Sequence, residues 1–437
     1  MTDLRHKMGT VLRLIKLRVS GSGVESLLKQ ISVSELRVDM YIHEIVPEEG
    51  VRLPKRKSGK VSHPQIIDKF HQIGVRYLII DIEKGIDAVP LALAPDEPMP
   101  KGDDAIENAL TFFDEEVTEE HRALSFEWFT AKEIFSVTTG IISDTYESLR
   151  SGGKINVGHF QKAASAIARS LRRNKDALIW FGKLRHLDSY AYEHCVNCAV
   201  LMGVACISRN ASHQETEEAV LGALLQNVGE SQLPEALVTK TGKLTPEEMD
   251  QMKAHVNLGV DLLSKEAKLP ERVKKIVAQH HERMDGSGYP NHLKGIDIDP
   301  YARLAAIVDS YDALSTRKVY REAIPPSQAM RIVLQDSKTQ YDEQLVHQFI
   351  KCMGVYPTGT LVRLNSDMLA VVMEQNQESR LEPDVKVIYN LKTAAYIQPH
   401  MLKLSSEMVK EKIVGYEDPR AHKINVTDFM PNDEDFR

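Results

Sequence analysis

Five potential metal ligands stand out in the helical part of this 437-residue chain: His194, His255, His280, His281 and Asp309. Imidazole nitrogens and carboxylate oxygens are the usual protein ligands for such ions. His280 and His281 are adjacent and run into Glu282-Arg283-Met284-Asp285-Gly286-Ser287-Gly288-Tyr289-Pro290, a turn punctuated by two glycines. Val273, Ile276 and Val277 fall at i, i+3 and i+4, so His280 at i+7 continues an apolar helical stripe. An imidazole on a buried face needs a hydrogen-bond partner or a metal. Asp309 falls on the face defined by Ala302, Ala305 and Ala306, where a carboxylate is costly unless paired or metal-bound. Taken singly, His194 and His255 read as ordinary surface or hydrogen-bonded histidines. The adjacent pair at 280 and 281 is moderately specific by itself.

The elements that must position these groups are mostly helices. Pro270 and Glu271 open the helix that ends at His280. From 121 to 354 the pattern is helical almost throughout, with stripes such as Phe160, Ala163, Ile167 and Leu171, or Leu221, Leu224, Leu225 and Val228. Residues 24–95 read as a small α+β domain, with a helix at 65–73 and a β-rich run at 75–81. Between them, residues 96–120 hold ten acids against one base and read as a solvated linker. After Pro357 the period changes, and 355–437 reads as a β-rich extension with strands near 361–364, 369–373 and 385–389. The first 23 residues carry five basic residues and one acidic one, and read as a frayed basic segment or a weak membrane-surface helix. The fold class expected is therefore multidomain and mainly α.

Composition narrows the function. A net charge of −7 argues against a nucleic-acid polymer as partner. No apolar run approaches the ~20 residues that cross a bilayer, and no signal peptide is apparent. Cys195 and Cys198 form a CxxC inside an apolar helical stretch without a second pair, and read as buried thiols rather than a redox or zinc site. Nothing suggests a disulfide framework, so a cytoplasmic location is expected.

The stretch from about 185 to 353 resembles the HD-GYP family, a helical branch of the HD superfamily. Its blocks run in family order: Tyr192-Glu193-His194, the loop from Leu237 to Glu248, Lys253-Ala254-His255 and the string from His280 to Pro290. Ala302-Arg303-Leu304, Asp309 to Leu314, Lys318-Val319-Tyr320-Arg321 and Thr339-Gln340-Tyr341-Asp342 follow. Residues 31–83 resemble the small domain that often precedes such domains. The resemblance implies an HD-type helical bundle, a centre of two or three iron or manganese ions, and hydrolysis of cyclic di-GMP. One block departs. Where the family has His-Asp-x-Gly-Lys, this chain has Gln226-Asn227-Val228-Gly229-Glu230. The family's aspartate bridges two metals, whereas the amides of Gln226 and Asn227 offer neutral oxygens, and Glu230 restores charge without the lysine's cationic role. Tyr190 stands where trinuclear members carry a glutamate.

What survives is a three-histidine site (His255, His280, His281) for one transition metal, iron or manganese, and two remnants of a second site (His194, Asp309). The resemblance also offers Arg317, Lys318 and Arg321 to nucleotide phosphates, although a solvated basic helix end is the competing reading. For the loop of Asp285, Gly286, Gly288, Tyr289 and Pro290, two roles stay open: fold geometry, and contact with diguanylate cyclase (GGDEF) domains. The expected function is a bacterial cyclic di-GMP signalling protein, catalytically impaired and acting through nucleotide or partner binding. The alternative is an active phosphodiesterase with a rearranged metal site, and a third is a scaffold in which every ligand-type residue is hydrogen-bonded.

Overall fold

The computed structural model describes residues 121–431 except 184–189, 241, 267–268, 317–323 and 377, together with short pieces between 14 and 110. The chain divides into two compact units, Met1–Pro95 and Asp96–Arg437.

The first unit is built on an antiparallel sheet of β1 (Leu14–Ile15), β2 (Leu28–Ser32), β3 (Tyr41–Ile45), β4 (Gly59–Lys60) and β5 (Tyr77–Asp81), in the order β1-β2-β5-β3-β4. The β-rich run near 75–81 thus becomes the central strand, pairing Ile79 with Gln30 on one side and Glu44 on the other. Leu78 and Ile80 are buried on it with Met40 and Val61. The helix expected at 65–73 lies outside the described residues apart from Phe70, which is helical and buried.

The second unit begins with two long helices, α1 (Leu124–Arg150) and α2 (Val157–Phe181). All four stripe residues of α2, Phe160, Ala163, Ile167 and Leu171, are buried. The helices are tied by a buried fork in which Arg173 donates from Nε and Nη2 to the Glu127 carboxylate, both at 2.7 Å. Then come α3 (Tyr190–Ser208), α4 (His213–Leu225), a 3-10 turn at Val228–Gln232 and α5 (Glu235–Val238). Six helices follow among the described residues: α6 (Pro246–Lys253), α7 (His255–Ser264), α8 (Glu271–Gln279), α9 (Pro300–Ser315), α10 (Pro326–Asp336) and α11 (Glu343–Met353).

Local sequence sets several of these ends. Ser212 with Glu215, and Thr245 with Glu248, form capping boxes at α4 and α6, while Asp299 caps α9 ahead of Pro300. Helix α3 is apolar around most of its circumference, and Cys195 to Cys206 are buried along it, as expected for a helix at the centre of a bundle. Ile106 and Leu110, inside the acidic stretch, are helical and buried in the same core, so that stretch is not solvated along its whole length.

The C-terminal strands β6 (Leu361–Leu364), β7 (Met368–Glu374), β8 (Asp384–Asn390), β9 (Ala395–Lys403) and β10 (Ile413–Tyr416) form an antiparallel sheet ordered β10-β6-β7-β8-β9. It docks on the end of α2 through polar bonds. Trp180 Nε1 donates to the Met373 carbonyl at 2.8 Å, Asn174 Nδ2 donates to Glu374 at 2.7 Å, and Asp176 accepts from the Gln375 amide at 3.0 Å.

Candidate metal centre

Five segments converge on one buried site. Helix α3 brings His194, the residues after α4 bring Gln226 and Asn227, α7 begins with His255, α8 ends at His280 and His281, and α9 carries Asp309. Close backbone approach makes this convergence possible. A Cβ on Gly229 would overlap the His255 carbonyl oxygen and lie 2.5 Å from the Gly259 nitrogen, so the 3-10 turn can touch α7 only through a glycine.

The structure brings His255, His280 and His281 together, with one nitrogen from each within 4.8 Å of the others. His255 Nδ1 lies 2.7 Å from the Met252 carbonyl oxygen, and His280 Nδ1 lies 2.9 Å from that of Val277. A carbonyl only accepts, so each Nδ1 carries the proton and each Nε2 presents a lone pair. Those two Nε2 atoms face each other at 3.4 Å. Burial, reinforced by the neighbouring His255, holds His280 down to about 3, and burial likewise holds His281 well below its usual value. Ring nitrogens that face one another in a buried site repel unless a proton or another cation lies between them, and a metal ion relieves that repulsion. The residues present fit a metal ion. His281 is backed by Tyr289, stacked at 4.6 Å between ring centroids.

His194 and Asp309 belong to a second cluster. His194 Nδ1 is 2.6 Å from Asp312 Oδ2, and its Nε2 is 3.0 Å from Asp309 Oδ1. Gln226 Nε2 donates to that same Asp309 oxygen at 3.2 Å, and Asn197 Nδ2 donates to Asp312 Oδ1. Burial disfavours a charged His194, but the adjacent Cys198 and the bonds to Asp309 and Asp312 outweigh it and hold the imidazole well above its usual value. Burial would likewise raise Asp309, yet the His194 bond and the charge of His194 hold it well below the carboxylate range. A protonated imidazole between two carboxylates thus supplies the positive charge here. Asp309 Oδ2 faces the first cluster, 4.0 Å from His281 Nδ1.

Residues 184–345 match the family described as HD domain, and residues 28–160 match a domain of unknown function, DUF3391. Cyclic di-GMP phosphodiesterase PA4108 of Pseudomonas aeruginosa is 28% identical over 410 residues, which span 92% of this chain and 95% of that protein. The helical domain belongs to the HD-GYP family. A probable cyclic di-GMP phosphodiesterase of Vibrio cholerae is 40% identical over 135 residues, 29% of this chain and 31% of that one. Among solved structures, Bd1817, a HDG"Y"P protein from Bdellovibrio bacteriovorus, is 17% identical with a TM-score of 0.43, covering 74% of this chain and 98% of its own.

In this HD-GYP domain the altered pair is buried. Gln226 is fully enclosed and Asn227 is 5% exposed. Gln226 Oε1 has no hydrogen-bond partner among the described residues, and the Asn227 carbonyl accepts from Tyr146 Oη at 2.6 Å. Glu230 is half-buried, and its charge reaches the Tyr289 hydroxyl, which burial and Asp309 already push up.

The loop after the histidine pair has a structural reason for its glycines. Gly286 has φ of +82°, and a Cβ on Gly288 would overlap the Arg283 nitrogen and the His281 carbonyl oxygen. The buried Glu282 carboxylate accepts from the Asn291 and Leu293 amides at 2.7 and 3.0 Å and so ties down the far side of the loop, where the Tyr289–Pro290 peptide is cis. Asp285 is exposed at its tip.

Arg317, Lys318 and Arg321 lie outside the described residues. No helix among the described residues is long and apolar enough to cross a membrane. Sequence reasoning passed over Asp312, Asn197 and Cys198 as parts of the site. Asp312 lies one turn beyond Asp309, and Cys198 one turn beyond His194 with its sulfur 3.7 Å from the ring, so helical spacing was the available signal.

Proposed function

We propose that this chain is a cyclic di-GMP signalling protein whose HD-GYP domain holds one transition ion, iron or manganese, on His255, His280 and His281. It acts by binding the nucleotide or a protein partner, with hydrolysis impaired. The observation that carries this reading is at Asp309 Oδ1. Both the His194 imidazole and the Gln226 amide meet that oxygen, so hydrogen bonds satisfy the carboxylate where a second cation would need it. Asn227 brings no anionic oxygen to bridge two ions. The bound ion would supply Lewis acidity and an anchor for a phosphate oxygen. The names of the relatives support the nucleotide, and the exposed loop tip at Asp285 is available to a cyclase-domain partner.

Calorimetric titration of the intact protein with cyclic di-GMP, with and without manganese or ferrous iron, tests the reading. One metal per chain and saturable nucleotide binding without turnover are expected; efficient conversion to pGpG or GMP overturns it. A specific feature favours a second reading, an active phosphodiesterase with a rearranged site. Gln226 Oε1 is buried without a partner among the described residues, and an amide turned over would offer that oxygen to a metal. Two tightly bound ions per native chain favour the second reading. In the Gln226→His/Asn227→Asp variant, the first reading expects metal content to rise from one to two and hydrolysis to appear.

A further inference from the structure

Helix α2 is interrupted near its end. Asn174 has φ of −160° and ψ of 105°, outside the helical range, so the turns from Lys175 to Phe181 do not simply continue the axis before them. The two sides of the break are held separately. Before it, the Arg173 fork to Glu127 fixes α2 to α1. After it, the polar bonds run to the C-terminal part of the chain. Lys175 Nζ donates to the Cys352 carbonyl, near the end of α11, at 3.0 Å. Asp176, 3% exposed, accepts from Thr358 Oγ1 and from the Gln375 amide, and Trp180 donates to the Met373 carbonyl. Buried bonds of this kind select one geometry, because a small slip leaves a carboxylate or an indole N–H without its partner. Phe181 packs on Trp128 of α1, with 4.4 Å between ring centroids, so the segment is pinned there and steered by the sheet.

The far end of this segment reaches the second cluster. Gly182 follows Phe181, and a Cβ there would overlap Asn197 Oδ1. The Asn197 side chain thus rests directly on the terminus of α2, with no room between them. Its Nδ2 donates to Asp312 Oδ1, and His194 Nδ1 donates to the other Asp312 oxygen at 2.6 Å. Asn197 and Asp312 are both buried, so neither exchanges its partner for water unless the core opens. An unbroken set of contacts therefore runs from Met373 on β7 through Trp180, Gly182, Asn197 and Asp312 to His194.

We infer that Asn197 is a positioning residue for His194, and that the C-terminal sheet, by holding the last turns of α2, sets Asn197 and so acts as a control element of the buried centre. This does not depend on the nucleotide reading or on the number of bound ions. Loosening the seam with the sheet moves the α2 terminus, frees the Asn197 amide to turn from Asp312, and weakens the hold on His194 without touching any ligand-type residue. The proton between His194 Nδ1 and Asp312 reports this. Its exchange with water is measured by NMR on the chelator-treated full chain with ¹⁵N-labelled histidine. Trp180→Phe removes the bond to Met373 and is expected to speed exchange about threefold to tenfold, the worth of one neutral hydrogen bond. Ile141→Val, a buried change on α1 opposite the start of α2, controls for lost stability and is expected to alter exchange less than about twofold. Gly182→Ala pushes on the Asn197 amide and is expected to speed exchange about tenfold, but less than about twofold where Asn197 is already alanine, because the two act as a coupled pair. The proposal is overturned if Trp180→Phe exchanges no faster than Ile141→Val, or if Gly182→Ala acts equally with and without the Asn197 amide. Should Gly182→Ala fail to fold, the comparison of Trp180→Phe with Ile141→Val decides alone.

Discussion

Replacing His280 by glutamine, which fills similar space but does not titrate, should flatten the acid side of the stability curve of metal-free protein. His280 is fully buried, and its folded value lies near 3 against an ordinary 6.5. Between those two values the unfolded chain binds a proton that the folded chain refuses. Stability therefore falls as pH falls through that window, by about 1.4 kcal/mol per pH unit for one such group. From pH 6.5 to pH 5 the loss from His280 is about 2 kcal/mol, a large share of the ~5–15 kcal/mol that keeps a domain folded.

His281, also held well below 6.5, loses stability in the same direction over this window and remains in the variant, and other groups oppose it or act elsewhere. The His194 contribution, from a raised value, is complete below 6.5 and fades only as pH rises. That of Asp309, from a lowered value, is complete above 3.8 and fades only as pH drops through its folded value. Glu133 and Glu374, both raised to about 7, run opposite to His280 over the same window. The comparison must therefore be native minus variant, in which those two cancel. Urea unfolding of chelator-treated native and His280→Gln proteins at half-unit steps from pH 7 to pH 5 measures it. The difference should shrink by about 2 kcal/mol from pH 6.5 to pH 5. Parallel curves would refute the claim that His280 is held neutral by burial.

Three further expectations concern packing and charge. Gly229→Ala puts a methyl group between the 3-10 turn and α7, and should cost about 3 kcal/mol in denaturant unfolding while weakening metal binding measured by equilibrium dialysis; a near-neutral result would mean this approach relaxes easily. Glu127→Ala leaves the Arg173 guanidinium, 4% exposed, without its carboxylate and should destabilise by about 3–5 kcal/mol, whereas Glu127→Leu with Arg173→Met should recover most of that loss. Glu374→Gln should stabilise the protein at pH 8, because the folded carboxyl, raised to about 7 mainly by burial, must ionise there. With some exposure discounted, about 1–2 kcal/mol is expected, vanishing toward pH 4.5; a gain that does not change with pH would point to another cause.

Much of the fold was readable from local pattern. The stripe at Phe160, Ala163, Ile167 and Leu171 becomes the buried face of α2, and Val273, Ile276 and Val277 become that of α8. Helical periodicity works here because each helix buries one face in the bundle. The acidic stretch misled at Ile106 and Leu110, since composition averages over a segment while burial is decided side chain by side chain. The cysteines at 195 and 198 read as buried thiols and are 1% and 0% exposed, yet Cys198 also lies against His194.

The sequence by itself determined the family, the ligand-type residues and the replacement of the His-Asp pair, because residue identity fixes which atoms can be anionic, cationic or neutral. For the loop after His281 it left fold geometry and partner contact open, and the need for its glycines, from backbone conformation and backbone contact, is visible only in three dimensions. Tertiary structure alone decided the grouping. Residues from α7 and the end of α8 bring three imidazoles together, while α3, α9 and Gln226 close a separate network around Asp309. Distances between helices depend on packing of the whole bundle, and lone pairs or hydrogen bonds act only over a few ångströms. The same five ligand-type residues thus divide into an open cluster of nitrogens and a carboxylate already satisfied by its neighbours.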